Sequence, residues 1–190
     1  MRHLLILIFF LVMHQSIPAQ PLSFIAHRGA SYLAPENTRE SIRLAWEMEA
    51  DGVECDVMLT KDNKIILFHD YTGARLLGED VTIKDVPYRD LKNWDINLKE
   101  TNKPEFSGAR IPLLTDILKE LPEDQLLVIE IKCGPEIIPF LQKTLKKHWK
   151  TGKITFIAFG YETIMQTKEI FPDVPCYYLS STREDIDQRF

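Results

Sequence analysis

The sequence predicts an α/β domain built on a mainly parallel β-sheet. Short apolar runs of strand length alternate along the chain with segments in which apolar residues recur at helical spacing. The 190 residues suit one domain, and a hydrophobic fraction of 45% is enough for a packed core. Right-handed strand–helix–strand units give either an open sheet or a closed barrel, and the pattern alone does not decide between them.

The first residues of the chain resemble a targeting segment. An unbroken apolar run covers residues 4–13 after Arg2 and His3, and it is too short to cross a bilayer, which takes about 20 residues. Such a run fits the apolar region of a secretory signal. We predict a cleaved signal peptide over 1–19, with an uncleaved anchor as the alternative. The remaining domain, 20–190, is then expected in the periplasm or outside the cell, without stable membrane insertion.

Strands and helices are predicted in alternation over the rest of the chain. Strands are expected where a short apolar or alternating run is bounded by turn residues, at 22–26, 53–59, 65–68, 126–131, 154–159 and 174–179. Helices are expected where apolar residues recur every three or four positions, at 37–50, 114–121, 137–148 and 162–171. Asn37 is the predicted N-cap of the first helix, with Glu40 closing a capping box. Residues 71–110 have many charges and poor periodicity, which indicates an inserted loop or subdomain.

Composition excludes several classes of function. The chain has 23 basic and 28 acidic residues, a net charge of −5, which lacks the basic excess of a nucleic-acid binder. Cys55, Cys133 and Cys176 have neither zinc-site spacing nor a disulfide pattern.

Charged residues occur inside two predicted strands. Side chains alternate along a strand, so Glu54 and Asp56 share one face, and Glu130 and Lys132 share one face of a later strand. Converging carboxylates repel one another unless a cation lies between them, and hard oxygen donors select Mg²⁺ or Ca²⁺. The sequence therefore indicates a metal site, although solvated charges at a sheet edge would give the same pattern.

Two histidines follow strands directly. His27 and His69 come at the carboxyl ends of the first and third predicted strands, and in α/β barrels such ends carry the active site. Histidine is suited to acid–base catalysis near neutral pH. We interpret them as a candidate catalytic pair, with a structural role as the alternative.

Five motifs together resemble one known family. The segments 27–29 (HRG), 35–38 (PENT), 54–56 (ECD), 69–70 (HD) and 130–132 (EIK) occur in the order found in glycerophosphodiester phosphodiesterases. The resemblance runs from about residue 23 to at least residue 159. It implies a TIM barrel with an insertion after the second strand, where 71–110 falls.

The resemblance also implies roles for individual residues. The implied metal ligands are Glu54, Asp56 and Glu130, for Ca²⁺ or Mg²⁺. The implied acid–base pair is His27 and His69. Arg28 and Lys132 would bind the phosphate of a small glycerophosphodiester. Glu36 and Asn37 would support the site, with a simple helix cap as the alternative for Asn37.

The implied activity is metal-dependent hydrolysis of glycerophosphodiesters to glycerol 3-phosphate and an alcohol. The attacking group could be water or the substrate's own glycerol hydroxyl, through a cyclic phosphate. The alternatives are an enzyme resembling phospholipase D or sphingomyelinase D that acts on intact lipids, and a non-catalytic binding protein. A complete barrel takes about 250 residues, so we expect this sequence to be truncated after the fifth barrel strand.

Overall fold

The structure, a computed structural model, describes residues 23–96 and 104–182. The predicted signal peptide at 1–19 lies outside these residues, as do residues 97–103 of the predicted insertion. The described strands are β1 (Ile25–Ala26), β2 (Gly52–Leu59), β3 (Ile65–Leu67), β4 (Leu126–Ile131), β5 (Lys153–Ala158) and β6 (Cys176–Tyr178). The described α-helices are α1 (Arg39–Glu47), α2 (Tyr88–Leu91), α3 (Leu114–Glu120), α4 (Ile138–His148) and α5 (Tyr161–Ile170).

One sheet organises the described part of the chain. Strands β1, β2, β4, β5 and β6 lie side by side in that order and are all parallel, while β3 pairs antiparallel with β2. Helices connect β1 to β2, β4 to β5 and β5 to β6, and each crossover returns the chain to the same end of the sheet, so that the next strand runs parallel. The predicted α/β class with a parallel sheet is confirmed.

The main core lies between the sheet and the layer of helices. The odd-numbered side chains of β2, Val53, Cys55 and Val57, are fully buried there. They pack with apolar residues of the helices, among them Ile42 of α1 and Leu141 of α4. The opposite parity of β2 therefore places Glu54 and Asp56 on the other side of the sheet, as the alternation predicts.

The inserted segment has a core of its own. Leu76, Ile83 and Leu91 are buried against Met58 and Phe68, which come from the β2–β3 hairpin. The segment contains short 3₁₀ turns and the four-residue helix α2, which explains why its sequence shows no helical or strand period. It packs against Met58, which points to the same face of β2 as Glu54 and Asp56.

The first helix begins one residue later than predicted. Thr38, and not Asn37, is the N-cap: the Ser41 backbone N–H donates to the Thr38 hydroxyl, and the Ser41 hydroxyl accepts from the Thr38 N–H. The predicted partner Glu40 takes no part in this capping box. Asn37 instead has a left-handed backbone, with φ of 56°, a conformation that asparagine tolerates better than most residues.

The turn after β1 is left-handed at two consecutive residues. Arg28 has φ of 57° and Gly29 has φ of 77°. A Cβ at position 29 would lie 2.6 Å from the backbone carbon of Ser41, so only glycine allows α1 to pack this closely on the turn.

No helix in the described ranges is both long and apolar enough to cross a membrane.

We expect Gly29→Ala to lower the free energy of unfolding by more than ~1–2 kcal/mol, the cost of placing an alanine in a left-handed conformation. The additional loss arises because the new methyl group meets the backbone of α1. The matched control is Gly108→Ala. Gly108 has φ of 89°, but a Cβ there would meet no atom closer than 3.9 Å. Urea unfolding of both variants measures the difference. Equal losses of stability would contradict the role given to close packing at Gly29.

Candidate active site

The candidate site lies where the carboxyl ends of β1, β2 and β4 meet. Asp56 of β2 is the direct cross-strand neighbour of Glu130 on β4. Ala26 of β1 pairs with Val53, so His27 comes next to Glu54 as the chain leaves the sheet. Parallel register therefore brings Asp56 and Glu130, which are 74 positions apart in the sequence, side by side at this end of the sheet.

Three carboxylates converge at this end of the sheet. Glu54, Asp56 and Glu130 are buried, with exposed fractions of 5%, 0% and 7%, and one ligand oxygen from each lies within 4.8 Å of the others. Burial raises the pKa of Glu54 to about 8, and the charges of Asp56 and Glu130 add to the effect.

The carboxylates fit a metal ion. Glu54 Oε1 and Asp56 Oδ1 are buried without a hydrogen-bond partner, which is costly for carboxylate oxygens. The candidate ligands of the cluster are all carboxylate oxygens, the hard donors that Mg²⁺ and Ca²⁺ prefer. The cluster can therefore hold a metal ion, and binding would offset both the unpaired oxygens and the mutual repulsion.

Asn37 holds Asp56 from the side. Its amide Nδ2 donates to Asp56 Oδ2 at 2.8 Å, and its Oδ1 accepts from the Asp56 backbone N–H at 3.0 Å. The left-handed backbone at Asn37 turns the side chain toward β2 instead of toward the helix. The interpretation of Asn37 as a simple cap is thus wrong, because its side chain is engaged with β2.

Arg28 connects the turn after β1 to the carboxylates of Glu54, Asp56 and Glu36. Its backbone N–H donates to Glu54 Oε2 at 2.9 Å. Its guanidinium lies 3.2 Å from Asp56 Oδ2 through Nε and 3.0 Å from Glu36 Oε1 through Nη1. Burial would raise the pKa of Glu36, yet hydrogen bonds from Arg75 and the charge of Arg28 hold it below its usual value.

Lys132 lies on the other flank of the carboxylates. Its Nζ is 2.8 Å from Glu130 Oε1 and 3.8 Å from Asp56 Oδ1. The same ammonium lies 5.8 Å from the centre of the Phe159 ring, a cation–π distance. A cleft of about 960 Å³ opens beside Lys132, between Tyr71 and Phe159, which is ample room for a small diester.

The two histidines differ in their surroundings. His27 is well exposed, at 66%, with its Nε2 3.8 Å from Glu54 Oε2. His69 is partly buried, and its Nδ1 lies 2.6 Å from Asp70 Oδ1. Burial raises the pKa of Asp70, but hydrogen bonds from Arg75 and His69 lower it below the usual value. A charged Asp70 can only accept, so Nδ1 is the protonated nitrogen of neutral His69, and Nε2 keeps the lone pair.

The structure thus brings the nine predicted site residues into one connected region. Sequence reasoning missed Arg75, which donates to both Glu36 and Asp70. Arg75 lies in the aperiodic insertion, where no pattern distinguishes it from other surface arginines. The need for glycine at position 29 was also missed, because it arises from the approach of α1.

Comparisons with known proteins agree on one family. Residues 27–189 match the model of the glycerophosphoryl diester phosphodiesterase family. A glycerophosphodiester phosphodiesterase of Caldanaerobacter subterraneus is 33% identical over 78% of this chain and 62% of its own length. One of Bacillus subtilis is 30% identical over 84% of this chain and 60% of its own length. The chain therefore spans about three fifths of the length of these curated relatives.

Solved structures show the same fold. An Oleispira antarctica phosphodiesterase in complex with the product sn-glycerol-3-phosphate is 30% identical, with a TM-score of 0.76 over 88% of this chain and 71% of that chain. A glycerophosphodiester phosphodiesterase of Thermotoga maritima is 28% identical, with a TM-score of 0.67 over 90% and 70%. The predicted barrel-type fold is confirmed, and the described residues form five parallel strands of it. The chain belongs to the glycerophosphoryl diester phosphodiesterase family.

Proposed function

We propose that this protein hydrolyses small glycerophosphodiesters to sn-glycerol 3-phosphate and an alcohol. The observation that carries the proposal is the buried cluster of Glu54, Asp56 and Glu130, with a cation on either flank and two histidines at its border. A site that only bound an anion would need the cations but not three buried carboxylates. The product-bound Oleispira relative supports the same substrate class.

The carboxylates are proposed to hold Mg²⁺ or Ca²⁺. When bound, the ion would neutralise the diester and polarise its P–O bonds. The protein's own part is to orient the oxygens: Asn37 fixes Asp56, the Arg28 backbone N–H fixes one oxygen of Glu54, and Lys132 fixes one oxygen of Glu130.

Arg28 and Lys132 are proposed to bind the phosphate. Each is mostly buried beside the cluster, so its charge is poorly screened by solvent. Each side chain also has more N–H donors than its carboxylate partners use. The remaining donors would stabilise the charge that accumulates on the phosphoryl oxygens in the transition state.

The histidines are proposed to move protons. One removes a proton from the attacking oxygen, which forms the new bond to phosphorus. The other gives a proton to the alcohol oxygen as its bond to phosphorus breaks. If the attacking oxygen is the glycerol hydroxyl, a cyclic phosphate forms first and water then opens it. With Nδ1 bound to Asp70, Nε2 of His69 is the atom that would accept the proton if His69 is the base, and the atom that must already carry it if His69 is the acid.

We further propose that the protein works in the periplasm or outside the cell. The support is the apolar segment 4–13 with its flanking residues.

The direct test incubates the purified chain with Mg²⁺ or Ca²⁺ and sn-glycerophosphocholine, and measures glycerol 3-phosphate with a coupled dehydrogenase. Release of glycerol 3-phosphate, with little turnover of sphingomyelin or phosphatidylcholine, supports the proposal. Turnover of the intact lipids alone would overturn it in favour of the lipid-cleaving alternative.

Glu54→Gln should weaken binding of Mg²⁺ or Ca²⁺ at least ~100-fold, above the range for changes around metal ligands, because it removes one charge and a ligand oxygen. Isothermal titration calorimetry measures this metal affinity directly, without an activity assay. Wild-type affinity should also rise between pH 6 and pH 8: Glu54, with a pKa of about 8, must lose its proton before it can bind a cation. The matched control is Glu123→Gln, at an exposed residue before β4. Equal affinities of the two variants would contradict the metal site.

His27→Ala and His69→Ala should each lower kcat by about 10² to 10⁴ and leave metal affinity nearly unchanged. A nitrophenyl diester needs little protonation of its departing oxygen, so it should restore the rate of the variant that lacks the acid more than that of the variant that lacks the base. His148→Ala, at the end of α4, is the control. Near-normal kcat in both site variants would show that the histidines are structural.

A further inference from the structure

Arg75 lies in the inserted segment, outside every motif that indicated the function. It sits in a turn held by a hydrogen bond from the Leu77 N–H to the Gly73 carbonyl at 2.8 Å. The next residue, Leu76, is buried in the insertion's own core. The backbone at Arg75 is therefore anchored, and the side chain projects from it toward the sheet.

The guanidinium of Arg75 binds two carboxylates at once. Nη1 donates to Glu36 Oε2 at 3.0 Å and Nη2 donates to Glu36 Oε1 at 2.7 Å. Nε donates to Asp70 Oδ2 at 2.6 Å. A planar fork with fixed donor directions can satisfy both carboxylates together, whereas a lysine ammonium cannot span them.

Each carboxylate in turn holds one side chain of the candidate site. Asp70 uses its other oxygen, Oδ1, to accept from His69 Nδ1 at 2.6 Å. Glu36 Oε1 also accepts from Arg28 Nη1 at 3.0 Å. Arg75 is thus hydrogen-bonded directly to Asp70, the partner of His69, and to Glu36, a partner of Arg28.

We propose that Arg75 is a positioning residue that orients His69 through Asp70 and Arg28 through Glu36, and that it makes the inserted segment part of the catalytic apparatus. The proposal rests on the proposed function only where it concerns the rate of hydrolysis. Its structural content, the fixed tautomer and direction of the His69 ring, is independent of any substrate.

Loss of Arg75 has a specific expected consequence. Asp70 would lose its stronger, charged donor and would be free to rotate away from the imidazole. His69 would then populate both neutral tautomers instead of only the one protonated on Nδ1. Glu36 would keep Arg28 as a partner but would lose the bidentate contact that fixes its own direction.

The test measures the imidazole tautomers by two-bond ¹H–¹⁵N NMR, with the His69 signals assigned from the spectrum of His69→Ala. In the wild-type chain, His69 should be protonated on Nδ1. In Arg75→Ala it should be a mixture, and Arg75→Lys should be intermediate. The matched control is Arg89→Ala: Arg89 lies in the same insertion, its side chain is exposed, and its guanidinium lies 3.7 Å from the carboxylate of Asp90.

The rate gives the second readout. Arg75→Ala should lower kcat for sn-glycerophosphocholine by about 10- to 100-fold, as loss of such supporting contacts does, and added guanidinium ion should restore part of it. Arg89→Ala should change neither quantity. A folded Arg75→Ala chain with the wild-type tautomer and no response to guanidinium would overturn the proposal.

The proposal stays testable if Arg75→Ala does not fold and if the wild-type chain has no activity. If Arg75→Ala does not fold, Arg75→Lys is compared instead, and a wild-type tautomer in that variant, with unchanged kcat, would overturn the proposal. If the wild-type chain hydrolyses no glycerophosphodiester, the proposed function fails, and the tautomer comparison alone decides whether Arg75 positions His69.

Discussion

The repulsion among three buried carboxylates is the constraint around which this part of the molecule is built. Glu54, Asp56 and Glu130 are buried, and one carboxylate oxygen of each lies within 4.8 Å of the others. Buried charges of one sign are tolerated only where donors and cations surround them. Arg28, Asn37 and Lys132 supply such donors and cations, while Glu54 Oε1 and Asp56 Oδ1 have no hydrogen-bond donor.

The compensation extends outward as a chain of alternating charges. From Asp56 it passes to Arg28, then to Glu36 and Arg75, and finally to Asp70, which holds His69. The members between the two ends each contact two neighbours, so a shift of one of them weakens the contacts of both neighbours. The chain links the sheet, the turn after β1 and the insertion, and it connects a candidate metal ligand to a candidate proton carrier.

Backbone geometry makes these contacts possible at a local cost. Arg28 and Asn37 are both left-handed without being glycine, and such conformations persist only where their surroundings fix them. The Arg28 carbonyl accepts from the Asn37 N–H at 3.0 Å and from the Ser41 hydroxyl at 3.1 Å, while its N–H is bound to Glu54. At these two positions the left-handed backbone lies where side chains are directed at the carboxylates.

The sequence by itself determined the alternation of strands and helices, the shared face of Glu54 and Asp56, and the position of both histidines at strand ends. These follow from periodicity and from chain order, which are local properties. Only the tertiary structure decided that Thr38 and not Asn37 caps α1, that Asn37 binds Asp56, and that Arg75 joins Glu36 to Asp70. Those contacts join residues up to 39 positions apart. They exist because parallel register, a left-handed turn and the separate core of the insertion bring the side chains together, and none of these leaves a period in the sequence.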